Sequence, residues 1–186
     1  MANGDVRARD ESNGTGPRDR PQRSGRGLSS QAELIPVQRH IMLPLRKRIV
    51  LIAHDNQKLE LLEWARYNRG TLAQHDLLAT GTTGQILADE LDLPVTRFVS
   101  GPMGGDQQVG AAIVEGKIDV VIFFWDPLEP HPHDVDVKAL LRIAVVYNVP
   151  IACNRSSADF LLSSPLMLLD YERLVTAYET RLEHSE

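Results

Sequence analysis

The sequence predicts a doubly wound α/β fold, a three-layer Rossmann-like sandwich with a five-stranded parallel sheet. Two observations lead to this fold class. Five short apolar runs alternate with segments in which apolar residues recur every three or four positions. The runs are apolar at successive positions, which is typical of strands buried on both faces. Strands that alternate with helices in this way predict a parallel sheet covered by helices on both sides.

Each predicted element rests on a local pattern. The apolar, β-branched runs predict strands at 48–53, 76–79, 95–99, 119–124 and 151–153. The run DVVIFF at 119–124 is the clearest of them. Helical spacing, such as that of Leu59, Leu62 and Ala65, predicts helices at 56–68, 83–91, 107–115, 135–147, 157–162 and 171–183. The sheet and its crossovers therefore span residues 48 to 162.

Composition limits the class of protein. With 186 residues and 42% hydrophobic content, the chain is predicted to be one domain with a tail. No stretch approaches the ~20 apolar residues of a membrane span, so no membrane partner is expected. Cys153 is the single cysteine, and the first residues lack the apolar segment of a secretory signal. We therefore expect a cytoplasmic protein.

Charge is distributed unevenly along the chain. Residues 1–48 carry ten Arg or Lys and five Asp or Glu, a net charge of +5, which leaves −10 for the remainder. The acidic body argues against nucleic acid as a partner. Residues 1–42 are rich in Gly, Arg, Ser, Asn and Asp and have little apolar content, so they are predicted to form a disordered tail. Residues 43–186 are predicted to form the domain.

Polar residues gather where the predicted strands end. Ligands of such sheets bind outside the carboxyl ends of the strands. The residues that follow the five strands are His54 and Asp55, then TGTTG at 80–84, SGPMGGD at 100–106, Asp126 with His131, His133, Asp134 and Asp136, and Asn154 with Arg155. The loops at the opposite edge, 92–94 and 115–117, have the composition of ordinary turns. The sequence therefore predicts a functional site at the carboxyl edge.

The segment SGPMGGDQQVG at 100–110 is the most informative part of the chain. Its glycines and proline disfavour helix and strand interiors, and they suit a turn whose backbone N–H groups face a small anion. Asp106 follows where the next helix should begin. It has two interpretations, a general base or a plain helix cap. An anion site beside a carboxylate indicates chemistry on a small phosphorylated molecule.

Three other groups also have alternatives. The threonines at 80–83 lie at a predicted helix N-terminus, where they either help to bind phosphate or cap the helix. Lys58 follows Asp55 by three residues and either points back to the sheet edge or is simply solvated. His131 and His133 either bind a metal or serve as proton carriers and hydrogen-bond donors. Metal sites need three or four converging ligands and Pro132 separates the histidines, so no metal is expected.

Together these segments closely resemble methylglyoxal synthase. The resemblance covers residues 46–165 and rests on AHD at 53–55, ATGTTG at 79–84, the unbroken SGPMGGDQQVG, EGKID at 115–119, FFWDPL at 123–128 and PHDVDVKAL at 132–140. It implies that dihydroxyacetone phosphate is converted to methylglyoxal and inorganic phosphate, a bypass of lower glycolysis. It also implies that no metal or organic cofactor is needed.

The resemblance further implies a role for individual residues. Asp106 matches the catalytic base. The positions that match substrate-binding residues are His54, Lys58, Thr80, Gly81, Thr82, Thr83, Ser100, Gly101 and His133. Asp55, Asp126 and Asp136 fall on carboxylates of the family's site. A homohexamer is implied, in which Arg181 would reach a neighbouring subunit's phosphate site, with inorganic phosphate as product and allosteric inhibitor.

Two competing functions stay open at this stage. One is a non-catalytic effector-binding module, since the fold is similar to the regulatory domain of carbamoyl phosphate synthetase. The other is an isomerase or another phosphosugar lyase that passes through the same enediolate. A sensor does not need a base, so the presence of Asp106, His133 and Asp136 favours an enzyme.

Overall fold

A computed structural model describes residues 32–130 and 134–182. Its strands are β1 (Ala32–Leu43), β2 (Arg48–Ala53), β3 (Asp76–Thr80), β4 (Val95–Phe98), β5 (Val120–Phe124), β6 (Ile151–Ala152) and β7 (Tyr171–Leu182). Its α-helices are α1 (Lys58–Tyr67), α2 (Arg69–Leu72), α3 (Gly81–Leu91), α4 (Gly105–Val114), α5 (Asp134–Val146) and α6 (Arg155–Leu162). Short 3₁₀ turns cover Asp55–Gln57, Gly101–Met103 and Pro165–Leu168.

Five of the strands form one parallel sheet in the order β4-β3-β2-β5-β6. The predicted fold class is therefore confirmed. The chain first builds outward from β2 to β4 and then returns to the other side of β2 with β5. The strand order reverses between β2 and β5, and in sheets of this kind ligands bind outside the carboxyl ends at such a point.

Helices cover both faces of this sheet. Successive residues of each strand point to opposite sides, and the strands are apolar at successive positions, so both faces must be buried. Ile49 and Leu51 of β2 pack against α1, α2, α3 and α6, whereas Val50 and Ile52 pack against α4 and α5. Every residue of β5 is buried, as the uniformly apolar run predicted. This two-sided core holds the carboxyl ends of the strands in fixed relative positions.

The remaining two strands form a separate antiparallel ribbon, and here the sequence prediction was wrong. Residues 171–182 were expected to be helical, but they form β7, which pairs with β1 from Ala32↔Leu182 to Leu43↔Tyr171. Regular structure thus extends back to residue 32, eleven residues before the predicted start of the domain. In β7 the side chains of Arg173 and Val175 are buried while those of Glu172, Leu174 and Thr176 are exposed. This period of two belongs to a strand, although the same residues also fit a helical spacing.

Two other predictions concern the N-terminal tail and membrane-spanning segments. Residues 1–31, which hold most of the predicted tail, lie outside the described part of the chain. Among the described residues, none of the helices has the length and apolar character to cross a membrane.

Candidate active site

A cavity of about 290 Å³ opens at the carboxyl ends of β2, β3 and β4. Its walls are Ile52, Ala53, His54, Asp55, Lys58, Thr80, Thr82, Thr83, Ser100, Gly101, Pro102 and Asp106. Eight of the ten residues predicted to form the site are in this wall. Of the other two, Gly81 lies between wall residues in the sequence, and His133 lies outside the described residues.

Lys58 supplies the cation of the cavity. The chain turns directly after β2 through a single 3₁₀ turn, so α1 begins with Lys58 beside the sheet edge. Its Nζ lies 2.5 Å from Oδ1 of Asp55 and 2.5 Å from Oγ1 of Thr82. The lysine therefore links the end of β2 to the start of α3. Its side chain is only 23% exposed, which strengthens its interaction with a negative charge in the cavity.

The TGTTG segment forms the start of α3. Thr80 is the N-cap residue of this helix, but its side chain makes no capping hydrogen bond. The interpretation of Thr80 as a side-chain cap is therefore wrong. Thr80 and Thr83 are buried in the cavity wall, each with 4% exposure, while Thr82 is exposed. The N-terminal N–H groups of α3 carry the positive end of the helix dipole, which favours an anion here.

Two glycines allow the loops after β3 and β4 to touch. Gly81 has φ +33° and its N–H donates to the Val99 carbonyl at 3.2 Å. A β-carbon on Gly81 would lie 2.6 Å from Cα of Ser100, and one on Gly105 would lie 2.2 Å from the Val99 oxygen. Real β-carbons do not approach other atoms so closely, so both positions require glycine. The TGTTG and SGPMGGD segments thereby form one continuous wall.

Asp106 lies in the first turn of α4, with 2% exposure. The 3₁₀ turn before it is closed by hydrogen bonds from the N–H groups of Met103 and Gly105 to the Ser100 carbonyl, both 2.9 Å long. The N-cap of α4 is Gly104, with φ +94°, so Asp106 is not the helix cap. A carboxylate in the first turn of a helix is stabilised in its ionised form by the helix dipole. Asp106 is thus a buried carboxylate at the cavity wall that does not cap the helix.

His54 is fixed by the loop that follows β5. The backbone N–H of Asp126 donates to Nδ1 of His54 over 3.3 Å, and the backbone N–H of His54 donates to the Phe124 carbonyl over 3.2 Å. The imidazole also packs edge-on against Phe123, with ring centroids 5.1 Å apart. Because Nδ1 accepts a hydrogen bond, the neutral ring carries its proton on Nε2. His54 can therefore act as a donor at the cavity.

Asp126 and Asp136 support the site rather than line it. Asp126 accepts hydrogen bonds from the Asn56 side chain and the Leu128 N–H, both 3.0 Å long. Asn56 also bonds Glu129, which ties the loop after β5 to the turn after β2. Asp136, in the first turn of α5, accepts from Nε2 of Gln107 over 3.0 Å. The roles of Asn56 and Gln107 were not predicted from the sequence, since each depends on a contact between distant segments.

Three further wall residues were not predicted, namely Ile52, Ala53 and Pro102. The sequence signal for them was their position at the end of β2 and inside the glycine-rich loop.

Arg181 lies in β7, where its backbone pairs with Glu33. Its side chain falls outside the part of the chain that can be described.

Comparison with known proteins identifies the family. A family model described as the MGS-like domain matches residues 60–153. The methylglyoxal synthase of Leptospira interrogans serovar copenhageni is 56% identical over 145 residues, which are 78% of this chain and 98% of that protein. The chain belongs to the methylglyoxal synthase family. This membership confirms the family resemblance and the expectation of an enzyme of the lyase class.

Other members of the methylglyoxal synthase family agree with this assignment. The methylglyoxal synthase of Saccharophagus degradans is 61% identical over 137 residues, covering 74% of this chain and 89% of that protein. The crystal structure of methylglyoxal synthase from Elizabethkingia anophelis NUHP1 superimposes with a TM-score of 0.70 at 50% identity, over 74% of this chain and 90% of that one. These relatives favour the enzyme over the effector-binding module.

Proposed function

We propose that the protein converts dihydroxyacetone phosphate to methylglyoxal and inorganic phosphate, with Asp106 as the base. One observation carries this proposal: the buried carboxylate of Asp106 shares a cavity with Lys58, Thr82 and Ser100. A base and an anion grip in one small volume suit a substrate that has an acidic C–H bond near a phosphate. The relatives are methylglyoxal synthases, which supports the same reaction.

The first step is removal of a proton from C3 of the substrate. Asp106 takes this proton, and the C–H electron pair forms a C2–C3 double bond while the C2 carbonyl oxygen becomes an enediolate oxygen. A carboxylate is a weak base for such a carbon acid, so donors must stabilise the oxygen as its charge develops. His54, which presents Nε2–H, and His133, by the family resemblance, are the proposed donors.

The second step breaks the bond between C1 and the phosphate oxygen. The C3 hydroxyl passes its proton to the C2 oxygen and becomes the aldehyde oxygen, and the double bond moves from C2–C3 to C1–C2. The C1–O electron pair leaves with phosphate, which takes the proton held by Asp106. The resulting enol tautomerises to methylglyoxal. This elimination needs the C1–O bond perpendicular to the enediolate plane, whereas an isomerase must hold it in the plane.

The phosphate grip is proposed to set this orientation. It comprises Lys58, Thr80, Gly81, Thr82, Thr83, Ser100 and Gly101. Contact between the loops around Gly81 and Ser100 lets N–H groups and hydroxyls of both act on one phosphate. The cavity volume of about 290 Å³ is at the lower end for ligand sites, which favours a triose ester over a larger phosphate compound.

Several further properties are part of this proposal and rest on the family resemblance. Inorganic phosphate, as product, is proposed to act as an allosteric inhibitor. The protein is proposed to be a cytoplasmic homohexamer in which Arg181 reaches a neighbouring site, and to provide a bypass of lower glycolysis. The acidic body supports the expectation that nucleic acid is not a partner.

The test is incubation of the purified protein with dihydroxyacetone phosphate while a carbonyl-trapping reagent follows methylglyoxal. Asp106→Asn keeps the shape of the side chain and removes the base, so kcat should fall by about 10²–10⁴ with KM largely kept. Asp89→Asn is the matched control, because Asp89 is an exposed carboxylate of α3 and should leave turnover unchanged.

Product analysis decides between the competing reactions. Methylglyoxal and free phosphate in equal amounts support the lyase. Formation of glyceraldehyde 3-phosphate instead would establish an isomerase. Substantial turnover in Asp106→Asn would show that another group is the base, and an unreacted substrate would refute the proposed reaction.

A further inference from the structure

A second cluster of charged side chains lies at the opposite edge of the sheet, where the parallel strands begin. We call it the amino-edge cluster, and its members are Lys47, Arg48, Asp119, Asp170 and Arg173. Lys47 and Arg48 stand at the start of β2, Asp119 directly precedes β5, and Arg173 belongs to β7. None of these residues contributes to the cavity of the candidate active site.

Arg173 is the unusual member of this cluster. It is 1% exposed, yet Nε, Nη1 and Nη2 have no hydrogen-bond partner among the described residues. A guanidinium has five N–H donors and stays ionised in proteins. Burial of an ionised group without partners is costly, and the cost lowers the pKa of Arg173 in spite of the attraction of Asp119. The fold therefore holds a buried cation whose donors meet no acceptor in the described part of the chain.

The position of Arg173 follows from contacts on either side of it. Nζ of Lys47 donates to the Leu169 carbonyl over 2.6 Å, before β7, and Nδ2 of Asn148 donates to the Leu174 carbonyl over 3.0 Å. Lys47 precedes β2 and Asn148 precedes β6, and β5 lies between those two strands. These contacts place the start of β7 near the amino ends of β2 and β6, and Arg173 is close enough to Asp119 and Arg48 to be attracted by the first and repelled by the second.

Asp119 accepts no hydrogen bond from Arg173, and Arg48 takes three of the roughly four acceptor sites of this carboxylate. Nε and Nη2 of Arg48 donate to the two carboxylate oxygens of Asp119 over 2.9 Å and 2.7 Å. The backbone N–H of Arg48 adds a third hydrogen bond of 2.8 Å. The amino-edge cluster holds three cations and two carboxylates, since Lys47 also interacts with Asp170. One positive charge is left without a counter-ion within the cluster, because Asp76, which also attracts Arg48, is paired with Arg46.

The side chain of His75, which contacts Lys47, also has a buried donor without an acceptor among the described residues. His75 is 3% exposed, and its Nδ1 accepts from the Lys47 N–H over 3.2 Å. Its proton is therefore on Nε2, which has no partner among the residues described. The unused groups of Arg173 and His75 are all donors, so what they lack is an acceptor. Excess positive charge together with unused donors is the chemistry that binds an oxyanion.

We infer that the amino-edge cluster binds one small oxyanion, such as inorganic phosphate or sulfate, through the guanidinium of Arg173. The side chain of Arg48 is 35% exposed and opens the cluster to solvent on its side. A small free anion suits a group buried within one chain better than a carboxylate of a second copy, because the anion is not attached to another backbone. The site is separate from the proposed phosphate grip, so it gives the protein a second place at which phosphate acts.

The test compares phosphate binding in matched variants. Isothermal titration and the rise in Tm with phosphate are measured for the full chain and for Arg173→Met, Lys58→Ala and the exposed control Arg66→Met. Chloride at equal ionic strength controls for general salt effects. We expect two phosphates per chain in the unchanged protein and in Arg66→Met, and one in each of the other two. Without phosphate, Arg173→Met should have a Tm at least as high as the unchanged protein, because its buried charge is gone.

The outcomes separate this inference from the proposed function. If Lys58→Ala changes nothing while Arg173→Met removes phosphate binding, the amino-edge site stands and the phosphate grip fails. If Lys58→Ala removes all binding, or Arg173→Met responds like Arg66→Met, the amino-edge site is refuted. It is also refuted if Arg173→Met alters only the size of the assembly in gel filtration.

A second variant covers the case in which Arg173→Met does not fold. Arg173→Lys keeps the charge and loses the planar fork, so phosphate binding at this site should weaken by about tenfold or more. Unchanged affinity in Arg173→Lys together with complete loss in Lys58→Ala would overturn the inference.

Discussion

Gly81 and Ser100 approach so closely that a β-carbon on Gly81 would lie 2.6 Å from Cα of Ser100. The two residues follow different strands, β3 and β4, and belong to the two segments that form the proposed phosphate grip. Their contact makes one wall of the cavity out of two loops. Any side chain at position 81 would force these loops apart.

The first prediction concerns this contact. Gly81→Ala should lower the free energy of unfolding by about 1–3 kcal/mol, the usual cost of overpacking, because backbone atoms of Ser100 cannot yield as a side chain can. It should also lower kcat/KM, since the phosphate grip loses its geometry. Urea unfolding and steady-state kinetics measure the two effects.

Gly110→Ala is the matched control for this change. Gly110 lies inside α4, and an added β-carbon would meet nothing within 4 Å. Alanine should stabilise the helix there by about 0.5–1 kcal/mol. Equal effects of the two substitutions would mean that the Gly81 contact has no special role.

The second prediction concerns the link between Lys58 and Thr82. Thr82→Val removes the hydroxyl that accepts from Nζ of Lys58 and keeps the volume of the side chain. If this pair helps to hold the substrate phosphate, KM should rise about tenfold, as expected for loss of one charge-assisted hydrogen bond. Thr96→Val, at an exposed position of β4, should leave KM unchanged. A fall in kcat with constant KM would assign Thr82 a different role.

The third prediction concerns the buried pair of Arg48 and Asp119. Asp119→Asn leaves the cations of the amino-edge cluster without their fully buried counter-ion, and it should cost about 3–5 kcal/mol of unfolding free energy. The exposed pair of Arg46 and Asp76 offers a comparison, because Asp76→Asn should cost only about 0–1 kcal/mol. Chemical denaturation at neutral pH measures both, and similar losses would contradict the assignment of Asp119 as the central charge.

The fourth prediction concerns pH. Burial, together with Lys47 and Arg46, lowers the pKa of His75 below its ordinary value of 6.5. At a pH between the lowered native pKa and the ordinary value of 6.5, His75 binds a proton in the unfolded chain but not in the native protein. The free energy of unfolding should therefore fall as the pH drops below 6.5. His75→Gln should flatten this dependence, whereas His40→Gln, at an exposed site, should not. Denaturant titrations from pH 7.5 to 5.5 measure the slope, and an equal slope in His75→Gln would contradict the prediction.

The sequence allowed most of the site to be predicted because of where its residues fall. His54, Thr80 and Ser100 each come directly after or close to the end of a strand, and parallel strands bring their carboxyl ends to one edge. Asn56 and Gln107 could not be assigned in this way. The partners of Asn56 and Gln107 are 70 and 29 residues distant, and no local pattern reports such contacts.

The β1–β7 ribbon shows most clearly that local sequence patterns cannot always distinguish a helix from a strand. In the stretch from Tyr171 to Leu182, Leu174, Ala177 and Tyr178 fit a helical spacing as well as the observed strand fits its period of two. The choice is made by β1, about 140 residues earlier, whose backbone pairs with β7 over its whole length. Pairing between such distant segments satisfies the backbone hydrogen bonds that a helix would have satisfied locally.

The sequence by itself determined the parallel sheet, its covering helices and the edge at which polar groups gather, because periodicity and strand ends are properties of neighbouring residues. Only the tertiary structure decided that Asp106 is buried in one cavity wall with Lys58 and Thr82, that Gly81 must touch Ser100, and that Arg173 is buried without a hydrogen-bond partner among the described residues. Those facts depend on which distant segments fill the same space, and packing of the whole chain decides that.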